Sequence, residues 1–208
     1  MPFIKRTAPT PPKSNEADES ALPELSGLQN LDPEVRWSTA RALGKGVASA
    51  VPALAAALEM ERAPRVREAL MTALMRAGNN ESVLVLLPYL RSQDAGLRSA
   101  AIEALQALPE AITPFMPTLL SDDDSDVRIL ATELARNMPA DEATRVLCNL
   151  LETESHSNVC GAAIEVLAEV GTPDALPTLK ACSERFCNIP FLSFAVSTTI
   201  ARISGTES

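Results

Sequence analysis

The sequence predicts an all-α fold, a solenoid of about five stacked helix pairs with half-repeats at its ends. Three observations carry this. Leu and Ala are abundant while aromatic residues make up only 3 % of the 208, a mixture suited to small-residue helix packing rather than to a sandwich or barrel. Apolar residues recur at intervals of three, four, seven and eight, the spacing of one helix face. The chain also repeats itself with a period near thirty residues, as expected when one supersecondary unit is stacked on copies of itself.

In chain order, residues 1–20 are rich in Pro, Ser, Thr and acid and have little to bury. They are expected to form a disordered tail, Met1 to Ser20, ahead of a repeat region over 21–203 and a short C-terminal tail over 204–208. Within the repeat region "DPEVRWSTARAL" (32–43), "APRVREALMTAL" (63–74), "DAGLRSAAIEAL" (94–105) and "DSDVRILATEL" (124–134) align without gaps, and "SNVCGAAIEVL" (157–167) follows. Their anchoring apolar residues are Val35, Val66, Leu97, Val127 and Val159. Asp32, Asp94 and Asp124 stand three residues before their anchors, well placed to cap helix N-termini. Arg36, Arg67, Arg98 and Arg128 directly follow the anchors, so the Asp and Arg residues form a ladder through successive turns. Asp and Arg four apart on one helix can pair, and Arg can also reach the neighbouring turn.

A second pattern, apolar-Pro-x-Leu, interleaves with the first at residues 22–25, 51–54, 87–90, 116–119 and 176–179. Pro is tolerated where a helix starts, because the first N–H groups lack intrahelical partners. Each unit therefore reads as a helix, a turn, and a second helix with Pro in its opening turns. Repeat four breaks this pattern with Leu147 and Asn149 in the Pro and Leu positions. Repeat five breaks the first pattern with Cys160 in the Arg position and Gly161 after it.

Residues 32–54, with Asp-x-x-Val-Arg-x-x-Ala-x-x-Ala-Leu-Gly followed by Val-Pro-x-Leu, resemble the HEAT repeat of the phycobilisome-lyase type. Gly44 belongs to this match. The resemblance implies a right-handed solenoid whose second helices line a concave face. By itself it implies little about activity, since one scaffold hosts many functions.

The run "SDDDSDVRILATE" (121–133) resembles a calcium loop, because Asp122, Asp124, Asp126 and Glu133 fall at its ligand positions. Val127 occupies the place where the loop's turn needs Gly. Glu also recurs at the position of Glu133 as Glu103 and Glu165, in repeats with no acidic run. A helix cap with spare acid in an inter-repeat turn is the reading the repeat favours, and no metal is expected.

Net charge is −9, which gives no field for phosphate backbones or anionic lipid, so neither nucleic acid nor membrane is expected as a partner. No apolar stretch approaches the roughly 18 residues of a spanning helix. The N-terminus lacks the apolar core of a secretory signal, and a cytoplasmic protein with reduced thiols is expected. No nucleophile elbow, phosphate loop or zinc-protease motif appears, and His156 is the only histidine. No catalytic residue and no cofactor is expected. Trp37 reads as packing under the end of the solenoid.

On each second helix the residue after Pro, and the one four later, point away from the core flanks. Tyr89, Thr118, Cys148, Glu152, Thr178 and Cys182 belong to this row, with Phe115 and Asn149 beside it, and together they form the expected partner-binding surface. Ala53 and Ala57 lie in the same row outside it. Cys148 and Cys182 would sit about 12 Å apart, too far for a disulfide. With Cys160, Cys187 and His156 they form a candidate thiol-rich site, set against the alternative that a free Cys is simply a small apolar residue. Two functions follow. The first is a non-catalytic scaffold, adaptor or regulatory subunit of bacterial type that holds another protein in its groove. The alternative is a bilin-lyase-like chaperone or transferase that binds a tetrapyrrole and delivers it to a protein thiol.

Overall fold

In the computed structural model residues 25–43 and 48–205 are described. The expected tail 1–20, residues 22–24 of the first Pro motif, Gly44 and the end of the C-terminal tail lie outside them. Twelve α-helices are present among the described residues. Five pairs follow one another: α1 (Pro33–Leu43) with α2 (Val51–Met60), then α3 (Pro64–Ala77) with α4 (Asn80–Leu86). In repeat three α5 (Ala95–Gln106) pairs with α6 (Pro109–Ile112) and α7 (Met116–Leu120). Repeats four and five are α8 (Ser125–Ala135) with α9 (Ala140–Thr153), and α10 (Ser157–Val170) with α11 (Leu176–Arg185). A 3-10 turn, Leu25–Gln29, precedes the series, and α12 (Pro190–Ile203) ends it. First helices stack on first helices and second on second, which makes two layers, an α-solenoid.

Between the layers lies one continuous core. Leu43, Leu54, Leu74, Leu105, Leu134 and Leu167 are all at most 1 % exposed. Val66, Val127 and Val159 are buried anchors, whereas Val35 is 36 % exposed, since no first helix among the described residues stands before α1 to cover it.

Among the described residues the Pro of the second pattern opens its helix as expected at Pro52, Pro117 and Pro177, and departs from expectation at Pro88. Repeat one places Pro52 in the opening turn of α2. In repeat two α4 is already under way at Asn80, and Leu87-Pro88 turns it into a 3-10 segment, Leu87–Arg91. In repeat three Thr113–Phe115 is a 3-10 segment between α6 and α7, with Pro114 inside it. Proline removes a hydrogen bond to the preceding turn, so the helix tightens or divides there. Repeat four has no such proline, and α9 runs unbroken for 14 residues. Leu147, the residue in the Pro position, is fully buried, so this departure from the repeat is a packing feature.

The ladder arginines reach along the solenoid. Arg36 donates through Nη1 to the Asn30 and Leu31 carbonyls at 2.7 and 3.0 Å, and through Nε and Nη2 to Glu61 at 2.7 and 3.0 Å. Arg128 repeats this with the Asp122 and Asp123 carbonyls and with Glu154. Arg67 pairs with Asp94 at 3.0 Å, and Arg98 donates to the Ser92 carbonyl at 2.7 Å. The arginines thus clamp the turn behind and, in three of four cases, a carboxylate in the turn ahead, in place of the Asp four residues back on their own helix.

Asp32, Asp94 and Asp124 accept from backbone N–H two residues on, each at 2.9 Å. Repeats two and five have Ala63 and His156 at the cap position, with no side-chain cap bond. Glu61 and Glu154 compensate from two residues upstream. Glu61 Oε1 accepts from the N–H of Arg62 and Ala63, and Glu154 Oε1 from those of Ser155 and His156. Hydrogen bonding from Arg36 holds the Glu61 carboxyl down to about 2 against the opposing effect of burial, with the Ala63 and Arg62 N–H groups assisting. A depressed carboxylate stabilises the fold at every pH above its unfolded value, near 4.5, and that contribution is lost as pH falls toward 2. Melting temperature is therefore expected to fall between about pH 4.5 and pH 2 less steeply in Glu61→Gln than in the parent. Equal slopes in the two chains would remove Glu61 from the acid transition.

The acidic run at 121–133 is built into the repeat. α8 is helical from Ser125, so Val127 to Glu133 carry helical backbone where a calcium loop would need a turn. Asp122 is not spare, however. Asp122 accepts from the Asp124 N–H at 2.9 Å and pairs with Arg91, joining repeats two and three.

Candidate functional site

The second-helix layer carries the expected contact row, and its members differ in access. Thr118, Asn149 and Glu152 are exposed, whereas Tyr89, Phe115 and Thr178 are half-buried. Burial pushes the Tyr89 hydroxyl up, with Glu59 adding to the effect and Arg67 opposing it. Cys148 and Cys182 are corrections to the sequence reading: they are only 9 % and 2 % exposed and belong to the core. The row assumed a second helix with a regular register after Pro. The second helices instead pack closely enough that α11 covers Cys148 and Cys182 faces α10.

Three of the four cysteines are thus buried, and Cys187 is exposed. Burial pushes Cys160 up to about 11, with Cys182 adding to this and Arg185 opposing it, and burial likewise raises Cys148 and Cys182. Such thiols stay protonated near neutral pH and are poor nucleophiles. Cys160 has a structural task. Its Sγ donates to the Glu154 carbonyl at 3.6 Å, the same position six residues back that Arg36, Arg98 and Arg128 use. Arg185 lies near Cys160 and caps the end of α9, donating to the Leu151 and Glu152 carbonyls. At Gly161 a Cβ would lie 3.3 Å from Phe191 Cε2, so the lost side chain admits α12 against α10.

Beside the exposed part of the row is an open depression of about 470 Å³ between α7 and α9. Pro117 and Leu120 form one wall and Val146 and Leu150 the other, with Asn149 and Arg145 at the rim. Arg128 and Glu154, already paired, close one end. A larger depression, about 600 Å³, lies at repeat one between the Leu25–Gln29 turn and α2, where Ala53, Ala57 and Met60 form an apolar strip. Ala53 and Ala57, set outside the contact surface by the sequence reading, therefore line the roomier half of the layer. Met60 is 77 % exposed there.

Glu61 and Glu154 are the residues that sequence reasoning missed. The available signal was positional, since each stands two residues before a cap position that lacks Asp.

A family model for HEAT repeats matches residues 22–106 and 112–185. The chain belongs to the HEAT-repeat family. Among solved structures it is similar to the archaeal HEAT-like repeats protein from Thermococcus onnurineus NA1, at 15 % identity over 88 % of this chain and 87 % of that one, with a TM-score of 0.51. An engineered protein matches at 19 % identity, 88 % and 95 % coverage and a TM-score of 0.43. The complex of CpcE and CpcF of phycocyanin lyase from Nostoc sp. PCC7120 matches at 20 % identity, 97 % and 100 % coverage and a TM-score of 0.40. No curated protein matches the chain. Among the described residues no helix is long and apolar enough to cross a membrane.

Proposed function

We propose that this chain is a non-catalytic interaction scaffold that holds a partner protein along its second-helix face. The observation that carries the reading is the contrast between its titratable groups and its surface. The most strongly shifted groups, Glu61 and Cys160, are each taken up by the fold itself. The second-helix face meanwhile offers exposed side chains, Thr118, Asn149 and Glu152, on the two helices that flank the α7–α9 depression. A layered solenoid displays such side chains on one long surface, which suits an extended partner.

The test inserts charge without touching the core. Thr118→Arg, Asn149→Arg and Glu152→Arg together are expected to weaken capture of the partner at least about tenfold, because unpaired like charges across an interface cost several kcal/mol. Ser99→Arg, Glu103→Arg and Glu165→Arg, exposed on first helices, should leave capture within about twofold. Affinity purification of the tagged chain with mass spectrometry identifies the partner, and its dissociation constant is then measured for each triple variant. Loss confined to the first-helix set would sink the proposal. A visible absorption spectrum of the same purified sample tests the tetrapyrrole alternative.

A further inference from the structure

The first-helix layer carries a feature that the scaffold reading does not use. Between α1 and α3 is an open cleft of about 310 Å³ lined by Trp37, Arg41, Arg65, Glu68, Thr72 and Arg76 among others. Trp37, the only tryptophan of the chain, is half-buried there under two guanidinium groups. Arg65 lies 3.9 Å from its ring centroid and Arg41 4.8 Å. Glu34 and Arg65, at the starts of their helices, pair at 2.7 Å. α1 and α3 therefore run side by side in the same direction, and Arg41 and Arg76 flank the far end of the cleft.

Two observations point to an anionic occupant. Arg41 and Arg76 make no ion pair among the described residues, although the chain as a whole carries −9. The charge is also peculiar to this repeat. The positions equivalent to Arg41 hold Thr72, Glu103, Glu133 and Glu165, so the other turns of the solenoid present a neutral or negative group where this one presents a cation. Those to Trp37 hold Glu68, Ser99, Ile129 and Gly161. A structural requirement of the repeat would not reverse sign in a single copy.

We propose that this cleft docks an extended acidic segment of a partner protein, with two carboxylates spaced two residues apart. The geometry sets the spacing. Arg41 lies level with Thr72, and Arg76 is four residues further along α3, about 6 Å at 1.5 Å per residue. Alternate side chains of an extended peptide stand about 6.6 Å apart on one face. Trp37, held flat by its two arginines, offers a surface for the peptide's aliphatic stems. A nucleic acid fits poorly, because a polyanion would meet the net negative field of the rest of the chain. The site is independent of the second-helix face.

Trp37 is its own reporter. Titrating the full chain with acetyl-Asp-Ser-Asp-Ser-Asp-amide in about 50 mM salt is expected to give a saturable change in Trp37 emission, weakened at least about tenfold in about 500 mM salt. The Asn-Ser-Asn-Ser-Asn peptide is expected to give none. Arg41→Gln with Arg76→Gln should abolish the response while leaving the melting temperature unchanged. Absence of saturation, an equal response to the Asn peptide, or an unaltered response in the double variant each overturns the proposal. So does a shift of emission in full-length Glu16→Gln, Asp18→Asn, Glu19→Gln without peptide, which would make the chain's own N-terminal segment the occupant. Emission that depends on chain concentration alone would assign the cleft to a second copy and overturn it equally.

Discussion

Leu105→Asp is expected to lower the melting temperature more than any other single substitution considered, by a destabilisation of about 4 kcal/mol or more. Leu105 is fully buried on α5, the central first helix, and an aspartate there has no cation within the core to meet it. Either its carboxylate stays charged and unsolvated, or its pKa rises and a polar acid displaces packed methyl groups. Both routes are unfavourable. Stability of a solenoid is close to a sum of repeat and interface contributions, so damage at the middle repeat weakens interfaces on both sides. Circular dichroism melts of Leu105→Asp beside Glu103→Lys, an exposed change two residues earlier on the same helix, separate core from surface. A Leu105→Asp melt within a degree or two of the parent would show that this helix face is not in the core.

The second large effect is expected at Arg128. Removing its guanidinium as Arg128→Met leaves the Glu154 carboxylate, 6 % exposed, without its counter-ion. Breaking a buried pair from one side costs about 3 kcal/mol, whereas removing both charges often costs far less. Arg128→Met with Glu154→Gln should therefore recover most of the loss, since a Gln oxygen still accepts from the Ser155 and His156 N–H groups. Arg98→Met, whose parent side chain bonds only the Ser92 carbonyl in the turn behind, should cost about 1 kcal/mol. Denaturant midpoints of the four chains test the ordering. A double variant less stable than Arg128→Met would mean that the Glu154 charge is stabilised by the start of α10 rather than by Arg128 and that the ion pair matters little.

How far the sequence speaks here depends on the range of the interaction. Five helix pairs, their caps at Asp32, Asp94 and Asp124, and the rejection of a calcium loop follow from patterns local to one helix. The burial of Cys148 and Cys182 was not readable, because it depends on contacts between helices, Cys148 with Thr178 of α11 and Cys182 with Cys160 of α10. The departures at Leu147, Cys160 and Gly161 stand out against the repeat in sequence and are structural in the fold. Leu147 lets α9 stay whole, the Cys160 thiol keeps one bond of the arginine it replaces, and Gly161 admits the last helix. Conversely, Trp37 reads from sequence as end packing, yet its stacked arginines and the adjoining cleft become visible only when α3 is laid beside α1.

The unbroken α9 has a mechanical consequence. A helix bends most readily where its hydrogen-bond ladder is interrupted, and the second helices of repeats two and three are interrupted while that of repeat four is not. Compliance is therefore distributed unevenly along the molecule, with a stiff strut at α9 and softer joints toward the N-terminal side. A ligand wrapped by the second-helix face would meet a rigid anvil at Asn149 and a yielding jaw at Tyr89. Curvature could then adapt to different cargo lengths by opening only one end.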